Sequence, residues 1–188
     1  MIKCIPILFL VSGAPGSGKT LLARKLAEQL CLPHINRDIL YWGLRFTLRD
    51  KDADVVSTGV PLFYSLVKSY LSNNISLVAD ATLYKGKSET DVKQLLTLGT
   101  VVNIHCRTPK ARERFIEREK SEAPDRILAS IEDLTKRLDE NAQLFTEPLD
   151  LGGELIEVDT TDGYNPSLES LVKMLKEYKN NLASESRF

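Results

Sequence analysis

The sequence has almost no net charge: 25 Lys and Arg against 26 Asp and Glu leave −1 at pH 7. With a pI near 6.2, no bulk attraction draws the chain to nucleic acid or to an anionic membrane, so any polyanion must be met by a local cluster. Cysteine is scarce. Cys4, Cys31 and Cys106 are odd in number and form no C-x-x-C or mixed His/Cys spacing. That argues against a disulfide framework and a structural zinc site and leads us to expect a reducing cytoplasm. Long apolar runs are missing as well. Nothing approaches the roughly 20 apolar residues of a membrane span. The apolar opening Ile5–Val11 runs into a glycine loop, not into the small-residue cleavage site of a secretory leader. There is no guanine-reading N-K-x-D, no internal repeat and no low-complexity stretch.

What remains is the balance of a folded globular protein, 43% hydrophobic and 27% charged over 188 residues, which predicts one domain spanning 1–188. Five short apolar runs, Ile5–Val11, Pro33–Asn36, Ile75–Ala79, Val101–His105 and Glu154–Val158, alternate with amphipathic stretches. Such alternation is the signature of βαβ units around a parallel sheet. Helices are expected at Lys19–Leu30, Asp38–Arg49, Val60–Leu71, Ser88–Leu98, Pro109–Lys120, Pro124–Phe145 and Pro166–Asn181. The sixth should be one long helix, with Ile131, Leu134, Leu138 and Leu144 on the face that packs.

Gly13-Ala14-Pro15-Gly16-Ser17-Gly18-Lys19-Thr20 is a complete G-x-x-x-x-G-K-[ST] phosphate loop, placed directly after an expected strand and before an expected helix. The glycines let the loop curl until backbone N–H groups converge on a phosphate at the helix N-terminus. Lys19 then serves as a point charge for the β- and γ-phosphates of ATP, and Thr20 offers a hydroxyl to Mg²⁺. The loop by itself does not separate a kinase from other nucleotide hydrolases.

Acidic residues close two of the expected strands. Asp38, after Ile35-Asn36-Arg37, is either a general base for an acceptor hydroxyl or an N-cap of the following helix. Asp80, after Leu77-Val78-Ala79, either joins the magnesium shell, holds an acceptor-binding arginine or merely ends its strand, with Thr82 opening the next loop. Arg114 and Arg118 share one face of a cation-dense helix. They serve as a lid over the nucleotide, or they are solvated Arg–Glu pairs.

These motifs, in order, resemble the phage-type polynucleotide 5′-hydroxyl kinases and the wider zeta-toxin-like and chloramphenicol-phosphotransferase-like P-loop kinases. The matching residues are Gly13 to Thr20, Ile35-Asn36-Arg37-Asp38, a strand ending at Asp80, and Arg114 and Arg118 ahead of Ala123-Pro124. The resemblance implies a three-layer α/β fold, an about five-stranded, mainly parallel sheet with an arginine-bearing helical lid. It implies that Asp38 is the base, that Lys19 and Thr20 hold phosphate and metal, that Arg118 is the lid arginine and that Arg114 contacts nucleotide. One position departs: where the polynucleotide kinases carry an arginine three residues past the base, this chain has Tyr41, followed by Trp42. Those two aromatics stack on an acceptor or plug the helix against the core. Arg37, Asp38, Tyr41, Arg45, Asp80 and Thr82 are the candidate acceptor-binding residues, and Arg37, Arg45 and Arg49 the candidate cationic path. His34 and His105 are assigned no catalytic part.

The expectation is a Mg-ATP-dependent transfer to an acceptor hydroxyl, with a small molecule slightly favoured over a polynucleotide, and no membrane partner. A regulatory module that hydrolyses ATP slowly is the alternative, against which Asp38 and the arginines speak, since a switch needs no acceptor base.

Overall fold

The computed structural model describes residues 5–48, 55–122 and 131–185. Its five strands, β1 (Ile7–Gly13), β2 (His34–Asn36), β3 (Leu77–Asp80), β4 (Thr100–Arg107) and β5 (Leu155–Asp159), form one sheet in the order β2-β3-β1-β4-β5. All four pairings are parallel. Each of the five expected runs supplies a strand. β1 and β3 start two residues later than the apolar pattern begins.

All seven residues of β1 are buried, because both faces of a parallel central strand are covered by helices. Ile7, Phe9 and Val11 point to one face, against Leu22 and Leu26 of α1 (Lys19–Leu30) and Leu171 and Leu175 of α8 (Leu168–Glu185). Leu8 and Leu10 point to the other, against Phe63, Val67 and Leu71 of α3 (Val55–Ser72) and Val92 and Leu95 of α4 (Glu89–Leu95). The result is the expected three-layer α/β sandwich. After β2 the chain crosses through α2 (Arg37–Leu48) and α3 to reach β3, then passes to the far side of β1. That reversal opens a crevice at the carboxyl ends of the strands, where ligands bind in open α/β sheets.

A third apolar cluster sits over that end. Ala14 of the phosphate loop is buried with Ala111 of α5 (Ala111–Glu122), Leu138 of α6 (Ile131–Glu140) and Phe145 of α7 (Ala142–Thr146), with Tyr84 and Phe115 beside them. The single helix expected over Pro124–Phe145 is thus two helices, and residues 123–130 lie outside the described ones. The break falls at Asn141, whose Nδ2 donates to the Arg137 carbonyl at 2.8 Å. An asparagine side chain that binds a backbone carbonyl competes with continuation of the helix. Among the described residues no helix is long and apolar enough to cross a membrane.

Candidate active site

The phosphate loop lies between β1 and α1 and curls tightly, with Ser17 N–H on the Ala14 carbonyl at 3.0 Å and Leu22 N–H on the Gly18 carbonyl at 3.1 Å. Gly16 is required twice over. Its φ of +81° is left-handed, and a Cβ there would lie 2.0 Å from the Ala111 carbonyl oxygen and 2.9 Å from the Phe115 nitrogen. The first turn of α5 therefore rests directly on the loop. On its other side, Thr160 Oγ1 donates to the Ser17 carbonyl at 2.7 Å, which anchors the loop to the turn after β5.

Lys19 is only 6% exposed. Burial pushes its ammonium below the usual lysine range, and the Asp38 and Asp80 carboxylates push back. Among the described residues it makes no ion pair. A buried, unpaired cation is costly until an anion arrives, so the site is electrostatically prepared for phosphate.

Asp80 is 1% exposed, at the carboxyl end of β3. Thr20 Oγ1 donates to its Oδ2 at 2.7 Å, Asn36 Nδ2 reaches Oδ1 at 3.0 Å and Oδ2 at 2.9 Å, and His34 Nε2 meets Oδ1 at 2.7 Å. Parallel pairing of β2 with β3 puts Asn36 opposite Asp80 and so brings these groups together. Asp80 was also expected among the acceptor-binding residues. Its carboxylate is consumed by neighbours and does not line the cleft. A hydroxyl beside a buried carboxylate is a hard, oxygen-only donor set, which fits Mg²⁺, an ion that takes few protein ligands and keeps several waters.

A cleft of about 400 Å³ opens beside Lys19 and is walled by Arg37, Asp38, Tyr41, Thr82, Tyr84, Val60, Phe115 and Arg118 among others. Asp38 is exposed to it. Reading Asp38 as the N-cap of α2 does not hold: Asn36 Oδ1 accepts the Ile39 N–H at 2.7 Å and so takes the cap, leaving the Asp38 carboxylate for the cleft. Tyr41 faces the cleft, and Trp42, which does not line it, packs edge-to-face on Tyr41 at 5.5 Å between ring centres. Arg37 and Thr82 also line this cleft. The Arg45 side chain and all of Arg49 lie outside the described residues.

The two arginines of α5 diverge. Arg118 faces the cleft, stacks over the Phe115 ring at 5.6 Å and pairs with Glu119 at 3.0 Å. Arg114, expected to contact nucleotide, donates from Nη1 to the Thr160 carbonyl at 3.0 Å and from Nη2 to the Thr161 carbonyl at 2.6 Å. Its guanidinium ties α5 to the turn that also holds Ser17. Beneath the loop, the buried His105 bonds Ser12 Oγ through Nδ1 and donates from Nε2 to the Thr146 carbonyl, each at 3.0 Å. Burial pushes its pKa below the ordinary histidine value, against a smaller upward push from the Thr146 carbonyl.

Four contributors escaped the sequence reading: Asn36, His34, Thr160 and Tyr84. Asn36 alone carried a signal, as a favoured cap residue immediately ahead of an amphipathic stretch.

The profile of the AAA domain family AAA_33 matches residues 8–140. Among curated proteins no relative matches. A Chloroflexus aurantiacus protein with a provisional kinase designation is similar in structure, with 23% identity, a TM-score of 0.74 and coverage of 92% of this chain and 98% of that one. A gluconokinase from Sinorhizobium meliloti follows at 17% identity and a TM-score of 0.61, covering 98% of both chains. A chain of the Pnkp1/Rnl/Hen1 RNA repair complex shows 22% identity and a TM-score of 0.53 over 78% of this chain and 49% of that one. At these identities the likeness concerns the fold, and it agrees with the sheet order and the strand–loop–helix geometry described above. With the family profile covering residues 8–140, the chain belongs to the AAA_33 family of AAA domains.

Proposed function

We propose that the chain is an ATP-dependent phosphotransferase that moves the γ-phosphoryl group to the hydroxyl of a small molecule held in the cleft. The observation that carries this reading is the shared opening of the buried, unpaired Lys19 ammonium and the exposed Asp38 carboxylate onto one cavity of about 400 Å³. A phosphate-binding cation and a proton acceptor side by side are what transfer to a hydroxyl requires, and simple hydrolysis has less need of the second.

In this mechanism the loop N–H groups from Gly13 to Thr20 and the Lys19 ammonium hold the β- and γ-phosphates. Asp38 orients the acceptor hydroxyl and takes its proton as the new O–P bond forms and the bond to the β-phosphate oxygen breaks, releasing ADP. Thr20, braced by Asp80, would hold Mg²⁺, which when bound neutralises charge on the phosphate oxygens. Arg118 offsets charge on the transferring group from the side of α5. Arg114 acts through the turn it fixes.

Tyr41, Tyr84, Thr82 and Val60 line the same cleft as Asp38 with rings, hydroxyls and an aliphatic side chain, and its cations are Lys19, Arg37 and Arg118. That lining suits a compact polar molecule with an apolar or ring-shaped body better than a nucleic-acid backbone, which needs a track of cations. Tyr41 standing where the polynucleotide kinases carry arginine supports the same choice.

The test is label transfer from γ-labelled ATP with Mg²⁺ to pools of sugars, hydroxy acids and nucleosides, alongside 5′-hydroxyl oligonucleotides at low salt. Transfer to a small molecule, lost in Asp38→Asn with ATP binding retained, is the expected result. Efficient labelling of the oligonucleotides alone would overturn the choice of acceptor. Hydrolysis indifferent to every acceptor and to Asp38→Asn would overturn the reaction.

A further inference from the structure

We propose that His34 is a positioning residue for the metal-side carboxylate: its imidazole fixes Asp80 in the orientation that serves Thr20, and so sets the Mg²⁺ requirement of nucleotide binding. The inference rests on the nucleotide-binding part of the reading above and adds to it a residue left without a role by the sequence motifs.

Asp80 is buried and its two oxygens are served unequally. Oδ2 accepts from the Thr20 hydroxyl at 2.7 Å, and the Asn36 amide is shared between Oδ1 and Oδ2 at 3.0 and 2.9 Å. A shared donor does not select one rotation of a carboxylate, whose terminal torsion is broad and roughly two-fold. Among the described residues, His34 Nε2 is the one donor dedicated to Oδ1, at 2.7 Å. Pulled by His34 on one oxygen and by Thr20 on the other, the carboxylate plane is fixed. Without His34, Oδ1 keeps only half of the Asn36 interaction inside the protein, and the Thr20 hydroxyl loses a rigid acceptor.

Sequence position explains why the donor is histidine. Asn36 lies opposite Asp80 in the β2–β3 register, and His34 is two residues earlier on the same face of the strand. It therefore stands about 6.6 Å behind Asp80 at the rise of a parallel strand. Bridging that offset needs a donor at the far end of a side chain, which the ring nitrogen Nε2 provides and a short amide does not. An ionised carboxylate only accepts, so Nε2 carries its hydrogen whatever the charge of the ring. β2 is the edge strand and the His34 side chain is partly exposed, so the position tolerates replacement.

The test measures binding of a fluorescent, non-hydrolysable ATP analogue across a Mg²⁺ titration, with melting of the ligand-free protein alongside. The proteins compared are wild type, His34→Leu, His34→Asn and His34→Gln. His34→Leu removes the donor, His34→Asn keeps an amide that falls short, and His34→Gln places an amide nitrogen near the position of Nε2. The expected result is a Mg²⁺ half-saturation raised on the order of ten-fold in His34→Leu and His34→Asn, the lower end of what an outer-shell partner of a metal site contributes. Affinity without Mg²⁺ should stay near wild type, some loss of melting temperature is expected because Asp80 is left under-satisfied, and His34→Gln should recover most of both losses.

If His34→Leu unfolds, the comparison of His34→Asn with His34→Gln decides alone. An unchanged Mg²⁺ half-saturation in His34→Asn, or an equal rise in His34→Gln, overturns the proposal. So does a loss of Mg²⁺-free affinity in step with the loss in its presence, which would mark a purely structural role. Wild-type protein that binds the analogue indifferently to Mg²⁺ overturns both the proposal and the metal assignment beneath it.

Discussion

Replacing Gly16 by alanine tests whether α5 and the phosphate loop form one mechanical unit. The added Cβ meets two penalties. Its φ of +81° is left-handed, and a residue with a Cβ pays roughly 1–2 kcal/mol in that region. The second is contact: the Cβ would stand 2.0 Å from the Ala111 carbonyl oxygen, where 3.4 Å is ordinary, so the first turn of α5 must retreat by about 1.4 Å, the difference. Backbone atoms cannot rotate aside as a side-chain tip can, and overpacking of this kind costs roughly 1–3 kcal/mol. Together these give roughly 2–5 kcal/mol, or on the order of 4–20 °C of melting temperature for a protein of this size. Because α5 carries Arg118, a retreat of more than 1 Å should also lower turnover about a hundred-fold. Two other glycines separate the terms. Gly86 has a φ of +78° with nothing within 4 Å of its Cβ direction, so Gly86→Ala should show only the backbone cost. Gly43 lies within α2, and among the described residues nothing stands within 4 Å of its Cβ direction, so Gly43→Ala should stabilise by roughly 0.5–1 kcal/mol. Calorimetric melts of the three variants, with label transfer measured alongside, decide the matter. If Gly16→Ala melts with Gly86→Ala and keeps near-normal turnover, the close seating of α5 on the loop is refuted.

Lys19→Met should abolish nucleotide binding while leaving the ligand-free melting temperature unchanged or raised, because it removes a buried, unpaired charge; calorimetry with and without an ATP analogue tests this, and a destabilised apo protein would contradict it. Burial pushes the Cys106 thiol up to about 12, so alkylation at pH 8 followed by peptide mapping should modify the exposed Cys31 and spare Cys106 in the folded protein. His105, held below its ordinary value by burial, binds protons more weakly folded than unfolded, so stability should fall as pH drops below about 6.5 and recover as it rises. His105→Gln should flatten that stretch of the stability profile, and a variant as pH-dependent as wild type would exclude His105 as its source.

The sheet and the phosphate loop were legible because their information is local. Each apolar run supplied a strand, and the eight residues from Gly13 to Thr20 carry their own geometry whatever surrounds them. Strand order was less accessible. β3 inserts between β2 and β1, and only that insertion sets Asn36 against Asp80, 44 residues away. The pattern Ile35-Asn36-Arg37-Asp38 therefore showed a helix start and an acid but not which residue capped and which remained free. The bond from Asn36 to the Ile39 N–H settles it, and the same side chain braces Asp80. Arg114 makes the same point in the opposite direction. Its spacing from Arg118 predicted a shared face and a shared task, yet the turn after β5, 46 residues away, presents two carbonyls that take up the Arg114 guanidinium. A charged hydrogen bond is worth roughly 1.5–3 kcal/mol, and two of them outweigh the modest pull of a nucleotide face on an arginine that would first have to release both. On the function proposed above, Arg114 acts on the nucleotide through Thr160 and Ser17, while Arg118, itself exposed and paired among the described residues with its partly buried neighbour Glu119, is not tied to that turn and can swing toward phosphate.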